Sequence, residues 1–173
     1  MGDVATPQAL LHRWEELQHD ASLRDLPYKI ELNAWGKVEM SPASVRHGWL
    51  QAELAAQFPQ QLRDGVTVSE CPVLTDIGIR VPDLAWASAD FMRRHSESSP
   101  LPRAPEICVE VISSSNVAAE IEEKTRAYLA AGAHEVWLVY EHGKVRYIDR
   151  SGEKEASAFP ISVTVPDLTK GYP

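Results

Sequence analysis

Glu106-Ile107-Cys108-Val109-Glu110-Val111-Ile112 is an apolar run with no turn signal inside it and a carboxylate near its middle. Such a run reads as a strand covered on both faces. A glutamate in it needs a partner, because ionised carboxylates are seldom buried alone. Ser113-Ser114-Ser115-Asn116 follows, then a helical pattern closed by Gly132, then a second mostly apolar run from Glu135 to Tyr140. Strand, helix and strand in this order make a crossover unit, whose two strands lie parallel with a right-handed connection. The chain is therefore committed to an α/β fold.

The rest of the chain builds around that unit. Thr6-Pro7 with Ala9, Leu10, Leu11, Trp14 and Leu17 predicts a capped amphipathic helix. Tyr28 to Leu32 and Lys37 to Met40 alternate as strands about the turn Asn33 to Gly36, a hairpin. Ser41-Pro42 is expected to cap a long helix reaching about Arg63. At about 100° per residue, His47 shares its stripe with Leu50, Leu54 and Phe58. That histidine points inward, either to a backbone carbonyl or into a site.

Val66 to Val73 and Ile79 to Ala87 read as strands joined at Thr75-Asp76, the second interrupted by Pro82, so that Asp83 opens its regular part. Ser88-Ala89-Asp90 starts a short helix, and Ser96 to Pro105 is expected to be the most mobile internal loop. Asn116 is the expected cap of the crossover helix. On that helix Lys124 lies in the apolar stripe with Ile121 and Tyr128, while Glu122, Glu123 and Arg126 face away. Val145 to Asp149 pairs back on the second run, Phe159 to Val163 gives one more strand, and Pro166 to Pro173 is irregular. Hairpins on both sides of the crossover make the sheet mixed, flanked by the two longer helices.

A length of 173 residues, 44% hydrophobic and 24% charged, suits one globular domain. We divide 1–173 into an N-terminal helix (1–26), a core (27–149) and a C-terminal strand and tail (150–173). The net charge of −8 excludes a general nucleic-acid coat protein, since such affinity comes from Lys and Arg. Cys71 and Cys108 are too few for a disulfide framework and suit a reducing cytoplasm. No stretch approaches the roughly 18 apolar residues of a membrane span. Met1 to Thr6 matches a myristoylation pattern too short to carry weight.

Asp83, Glu110 and Lys124 are the charged groups that the pattern drives inward. Two carboxylates in one pocket repel unless a proton, a lysine or a divalent cation compensates them. Oxygen ligands of this kind suit Mg²⁺ or Mn²⁺, and the matching chemistry is phosphodiester hydrolysis. Two of the three also have a plainer use, Asp83 as a turn or cap residue and Lys124 as a side chain that extends its stem to water, whereas Glu110 is harder to dismiss.

The ordered set Val38-Glu39-Met40-Ser41-Pro42, Arg46-His47, Arg80-Val81-Pro82-Asp83-Leu84-Ala85, Glu110-Val111-Ile112-Ser113, Glu120 to Lys124, Tyr128 to Gly132 and Glu135 to Val139 resembles the Uma2 (DUF820) family of restriction-endonuclease-like proteins. The resemblance spans roughly Tyr28 to Tyr147. It implies the PD-(D/E)xK nuclease fold, a restriction-endonuclease-like mixed β-sheet core flanked by helices, with Asp83 and Glu110 as metal ligands. Lysine is absent two residues after the glutamate, where Ile112 stands, and Lys124 resembles its migrated replacement. Glu39 matches an additional acidic position. Ser114, Glu120 and Tyr140 depart from the family's usual proline and two aspartates.

The resulting expectation is a Mg²⁺- or Mn²⁺-dependent DNA endonuclease with catalytic Asp83, Glu110 and Lys124, and with Glu39 and His47 as further site residues. By analogy with nucleases that cut two strands, it is expected to dimerise. The alternative is a non-catalytic binding or assembly module on the same fold, favoured by the acidic balance.

Overall fold

Thr6 does cap the first helix: its hydroxyl accepts from Ala9 N in α1 (Pro7–His19). A computed structural model describes residues 3–42 and 44–170. Of the segments read above, Met1-Gly2 and 171–173 lie outside them. The hairpin is β1 (Tyr28–Asn33) and β2 (Val38–Pro42), followed by α2 (Val45–Gln61). Then come β3 (Gly65–Ser69), β4 (Val73–Thr75), β5 (Gly78–Arg80), β6 (Leu84–Ser88) and α3 (Ala89–His95). The crossover is β7 (Ile107–Ile112), α4 (Ala118–Ala131) and β8 (Glu135–Tyr140), with β9 (Val145–Asp149) and β10 (Gly152–Lys154) closing the edge.

The strands form two sheets rather than one. One has the order β2-β1-β5-β4, the other β10-β9-β8-β7-β6-β3. β7 and β8 pair in parallel, Glu110 opposite Leu138, while the other neighbours in that sheet are antiparallel. The mixed sheet and the crossover are as the pattern predicts.

Strand alternation on β7 separates two apolar layers. Ile107, Val109 and Val111 pack with Leu50, Leu54 and Phe58 of α2, and with Trp137. Cys108 and Ile112 face the other way, towards Tyr128 of α4. The two helices thus cover opposite faces of the larger sheet, and Glu110, sharing the parity of Cys108 and Ile112, points to the α4 side. A third cluster, Leu10, Trp14 and Leu17 against Leu32 and Ile79, seats α1 on the smaller sheet. Each buried side chain of this size contributes about 1.5–3 kcal/mol.

Several boundaries differ from the sequence reading. Ser44, not Ser41-Pro42, caps α2 by accepting from His47 N, and Ser41 and Pro42 remain in β2. Val66 to Val73 splits at Glu70, whose φ of 51° turns the chain from the larger sheet into the smaller. Ile79 to Ala87 splits at Val81-Pro82-Asp83, so Asp83 sits in the crossing between sheets, just before β6. Pro82 cannot donate to a ladder, and Val81 N donates to the Glu31 carboxylate instead. Gly78 makes the sheet contact possible: its φ is 118°, and a Cβ there would stand 2.1 Å from Leu32 O.

The loop expected to be most mobile is held at three points. Leu101 N donates to Pro72 O, Leu101 O accepts from Leu74 N, and Ala104 N donates to Ala131 O. Asn116 does not cap α4. Its Oδ1 accepts from Ser113 N and Oγ, and the capping position falls to Val117, which has no side-chain bond to give. Gly132 closes the helix in the left-handed conformation, as expected.

Phe159 to Val163 is not a strand. Pro160 lacks a donor, and the amides of Gln57 and Gln61 on α2 take the backbone groups of Thr164 and Ser162. Ile161 and Leu168 nonetheless join the first core, which therefore extends past residue 149.

Candidate active site

The site forms where the smaller sheet meets the crossover unit. β1 presents Ile30 and Leu32 to the α1 cluster and, on its other face, Lys29 and Glu31. The Ser44 cap fixes the first turn of α2 and with it His47. β7 contributes Glu110, and α4 contributes Lys124 and Tyr128.

Asp83 is almost wholly enclosed, at 1% exposure. Its Oδ1 accepts from Lys29 Nζ at 2.6 Å and lies 3.1 Å from His47 Nε2, while Oδ2 accepts from Val111 N at 2.7 Å. Its carbonyl oxygen accepts from Gln51 Nε2 and Glu70 N. Lys29 Nζ also reaches Glu110 Oε2 at 3.6 Å. Tyr128 donates its hydroxyl to Glu110 Oε1 at 2.8 Å, and Lys124 Nζ stands 3.8 Å from the same oxygen. Lys124 is nearer to Glu31, at 2.8 Å. Arg80 then links Glu31, at 3.6 Å, to Glu39.

These contacts make one row of alternating charge: His47, Asp83, Lys29, Glu110, Lys124, Glu31, Arg80, Glu39. Consecutive members come from different elements, so the row stitches the two sheets and both long helices together. A cavity of about 270 Å³ opens on Lys29, His47, Asp83, Glu110 and Lys124. A second, of about 340 Å³, lies on the other side of Lys124, against Glu31, Glu39 and Arg80.

The two central acids titrate in opposite directions. Burial pushes Asp83 up, but the His47 hydrogen bond and the Lys29 charge outweigh it and hold the carboxyl well below the usual range. Burial also pushes Glu110 up, and Lys124 and Lys29 offset only part of that, so it stays raised. His47 is raised by its hydrogen bond to Asp83 against the opposing effect of burial. Burial would lower Lys29, yet Glu110, Asp83 and Glu31 together raise it, and it is held as an ammonium. Burial pushes the Tyr128 phenol well up, so it serves as a donor to Glu110.

The residues singled out in the sequence are therefore not equally placed. Asp83, Glu110 and His47 meet around one cavity. Lys124 reaches inward as its stripe position requires, but its closest partner is Glu31. Glu39 touches none of these and pairs with Arg80 at the half-exposed end of the row. Sequence reasoning missed Lys29 and Glu31. The alternation of Tyr28 to Leu32 placed both on one face; it could not tell that this face meets the crossover unit rather than water.

Asp83 and Glu110 are hard oxygen donors, and Mg²⁺ is commonly held by one or two carboxylates with water and phosphate completing the shell. Among the described residues no group of three or more acidic, histidine or cysteine side chains is arranged to hold an ion. The donor set fits a cation that takes two protein ligands and relies on substrate for others.

A solved structure described as a "putative nuclease belonging to DUF820", from Anabaena variabilis ATCC 29413, superposes with a TM-score of 0.69. The match covers 89% of this chain and 97% of that one at 14% identity, which establishes the shared fold. No curated protein matches the sequence. The family model Uma2, described as "Putative restriction endonuclease", matches residues 14–167. With most of the chain so matched, this protein belongs to the Uma2 family.

Proposed function

We propose that the protein is a Mg²⁺- or Mn²⁺-dependent endonuclease that hydrolyses DNA phosphodiester bonds. The observation that carries this reading is the pairing of two buried carboxylates from different elements, Asp83 and Glu110, on one cavity with an inward lysine, Lys124. Asp83 and Glu110 would hold the ion, which supplies a water of lowered pKa and polarises the phosphoryl group.

The chain's own residues do the rest. Tyr128 fixes the Glu110 carboxylate by its hydrogen bond, and Val111 N with His47 fixes Asp83. Glu31 holds Lys124 at the cavity wall, where its ammonium can meet the negative charge that grows on the phosphate oxygens. With a net charge of −8, contact with DNA is local to this cavity rather than spread over a basic surface. Two free buried cysteines support a reducing, cytoplasmic setting, and cutting both strands of a duplex favours a homodimer.

Supercoiled plasmid incubated with Mn²⁺ or Mg²⁺ is expected to be nicked, and EDTA to stop the reaction. Glu110→Ala and Lys124→Ala are each expected to lower the rate by about a hundredfold or more. Unchanged cleavage by both purified variants would sink this reading. A non-catalytic binding or assembly module is the second reading, favoured by the way Lys29 and His47 already satisfy Asp83. Metal-dependent turnover by the native protein but not by Asp83→Asn rules it out.

A further inference from the structure

Lys29 has no role in the chemistry above, yet it holds the centre of the site. It enters from β1 with its side chain 12% exposed, 2.6 Å from Asp83 Oδ1 and 3.6 Å from Glu110 Oε2. An ammonium and a small divalent cation make the same demand on a pair of carboxylates. A metal at about 2.0–2.1 Å from their oxygens repels an ammonium that stays on them. The two occupancies therefore exclude one another.

The row of charges sharpens the point. Glu39, Glu31, Glu110 and Asp83 alternate with Arg80, Lys124, Lys29 and His47. With His47 protonated, four cations already face the four carboxylates, and adding two positive charges to this mostly buried row leaves an excess that nothing within it cancels. A phosphodiester brings the missing negative charge and gives the displaced ammonium a new partner.

We propose that Lys29 is an internal counter-ion which holds Asp83 and Glu110 in the ion-free protein, must yield when a divalent cation enters, and so keeps metal affinity low until a phosphodiester arrives. Lys29 is a positioning residue in this account, and the account rests on the metal-site reading above. It differs from that reading in saying what occupies the ligands beforehand and in coupling metal to nucleic acid.

Mn²⁺ binding by the full chain, followed by the electron paramagnetic resonance of free Mn²⁺, tests it without any turnover. Lys29→Met is expected to bind Mn²⁺ about tenfold or more tightly than the native protein in the absence of DNA, the order expected on removing one nearby unit charge. Lys29→Gln, which keeps a donor for Asp83 but no charge, is the second neutral variant and should behave alike, while Lys29→Arg should stay weak. A duplex oligonucleotide with phosphorothioate linkages should narrow the gap by tightening the native protein. Mn²⁺ should raise the Tm of the neutral variants more than that of the native protein, and Glu110→Gln should remove the binding in each background.

Equal affinity in native protein, Lys29→Met and Lys29→Gln overturns the counter-ion role and leaves the metal site standing. Absence of Mn²⁺ binding in every variant, with and without DNA, overturns both.

Discussion

Asp83 and Glu110 share one ammonium and answer it differently. Asp83 collects Lys29, His47 and a backbone amide, whereas Glu110 has a neutral phenol and two more distant ammonium groups. Environments that drive two acids apart assign them different protonation behaviour in one cavity. His47 gives this a measurable form. Its folded pKa is raised above an unfolded value of about 6.5, so the stability from its pairing with Asp83 is fully present below that value and is lost as pH rises through the folded pKa. In EDTA, urea unfolding should show a wider gap between native protein and His47→Gln at pH 6 than at pH 9. A gap that widens with pH would contradict the pairing. Asp83, Glu110, His47 and Lys124 were legible in the sequence because each breaks a pattern, a polar group in an apolar run or stripe. Lys29 and Glu31 break none. They occupy the polar positions of an ordinary alternating strand, and what that face meets is decided by a second sheet that no local pattern encodes.

Apart from Phe159 to Val163, read as a strand and found irregular, and the unforeseen β10, helices and strands were legible in kind, and several of their ends were governed by single hydrogen bonds. Ser44 rather than Ser41 begins α2, because Ser41 and Pro42 still pair with Lys29 and Tyr28 across the hairpin. Asn116 turns its side chain back to Ser113 and leaves α4 with an apolar, exposed capping residue, Val117. Val117 already has extended dihedrals suited to a cap, with φ −85° and ψ 125°. Val117→Ser is therefore expected to stabilise the protein by about 0.5–1 kcal/mol in denaturant unfolding, with no change in the site. The split of Ile79 to Ala87 is the more instructive difference. Pro82 marked the interruption, but its consequence, two short strands in two sheets with Asp83 between them, depends on Val81 N finding Glu31.

The whole molecule is closed by its last segment. Ser157 and Ala158 bond the buried carboxylate of Glu135, Gln57 and Gln61 hold the chain beyond them, and Ile161 and Leu168 fill the first core. Deleting 157–173 removes Ile161 and Leu168 from the first core and takes two donors from the buried Glu135 carboxylate, leaving it the Trp137 indole N–H. The expected result is a fall in Tm of about 10 °C or more by calorimetry. A truncated chain that melts like the native one would show the tail to be ornamental.

The row from His47 to Glu39 adds a property of time rather than of strength. Its bonds span the chain widely: 54 positions separate Lys29 from Asp83 and 93 separate Glu31 from Lys124. Closing such loops costs chain entropy before the contacts return anything. Lys29 and Glu31 belong to the smaller sheet and Glu110 to the larger, so a chain with one sheet formed has neither the Lys29–Glu110 nor the Glu31–Lys124 contact. The site therefore comes into being only with the completed fold, and its perturbed acids are a late marker of folding.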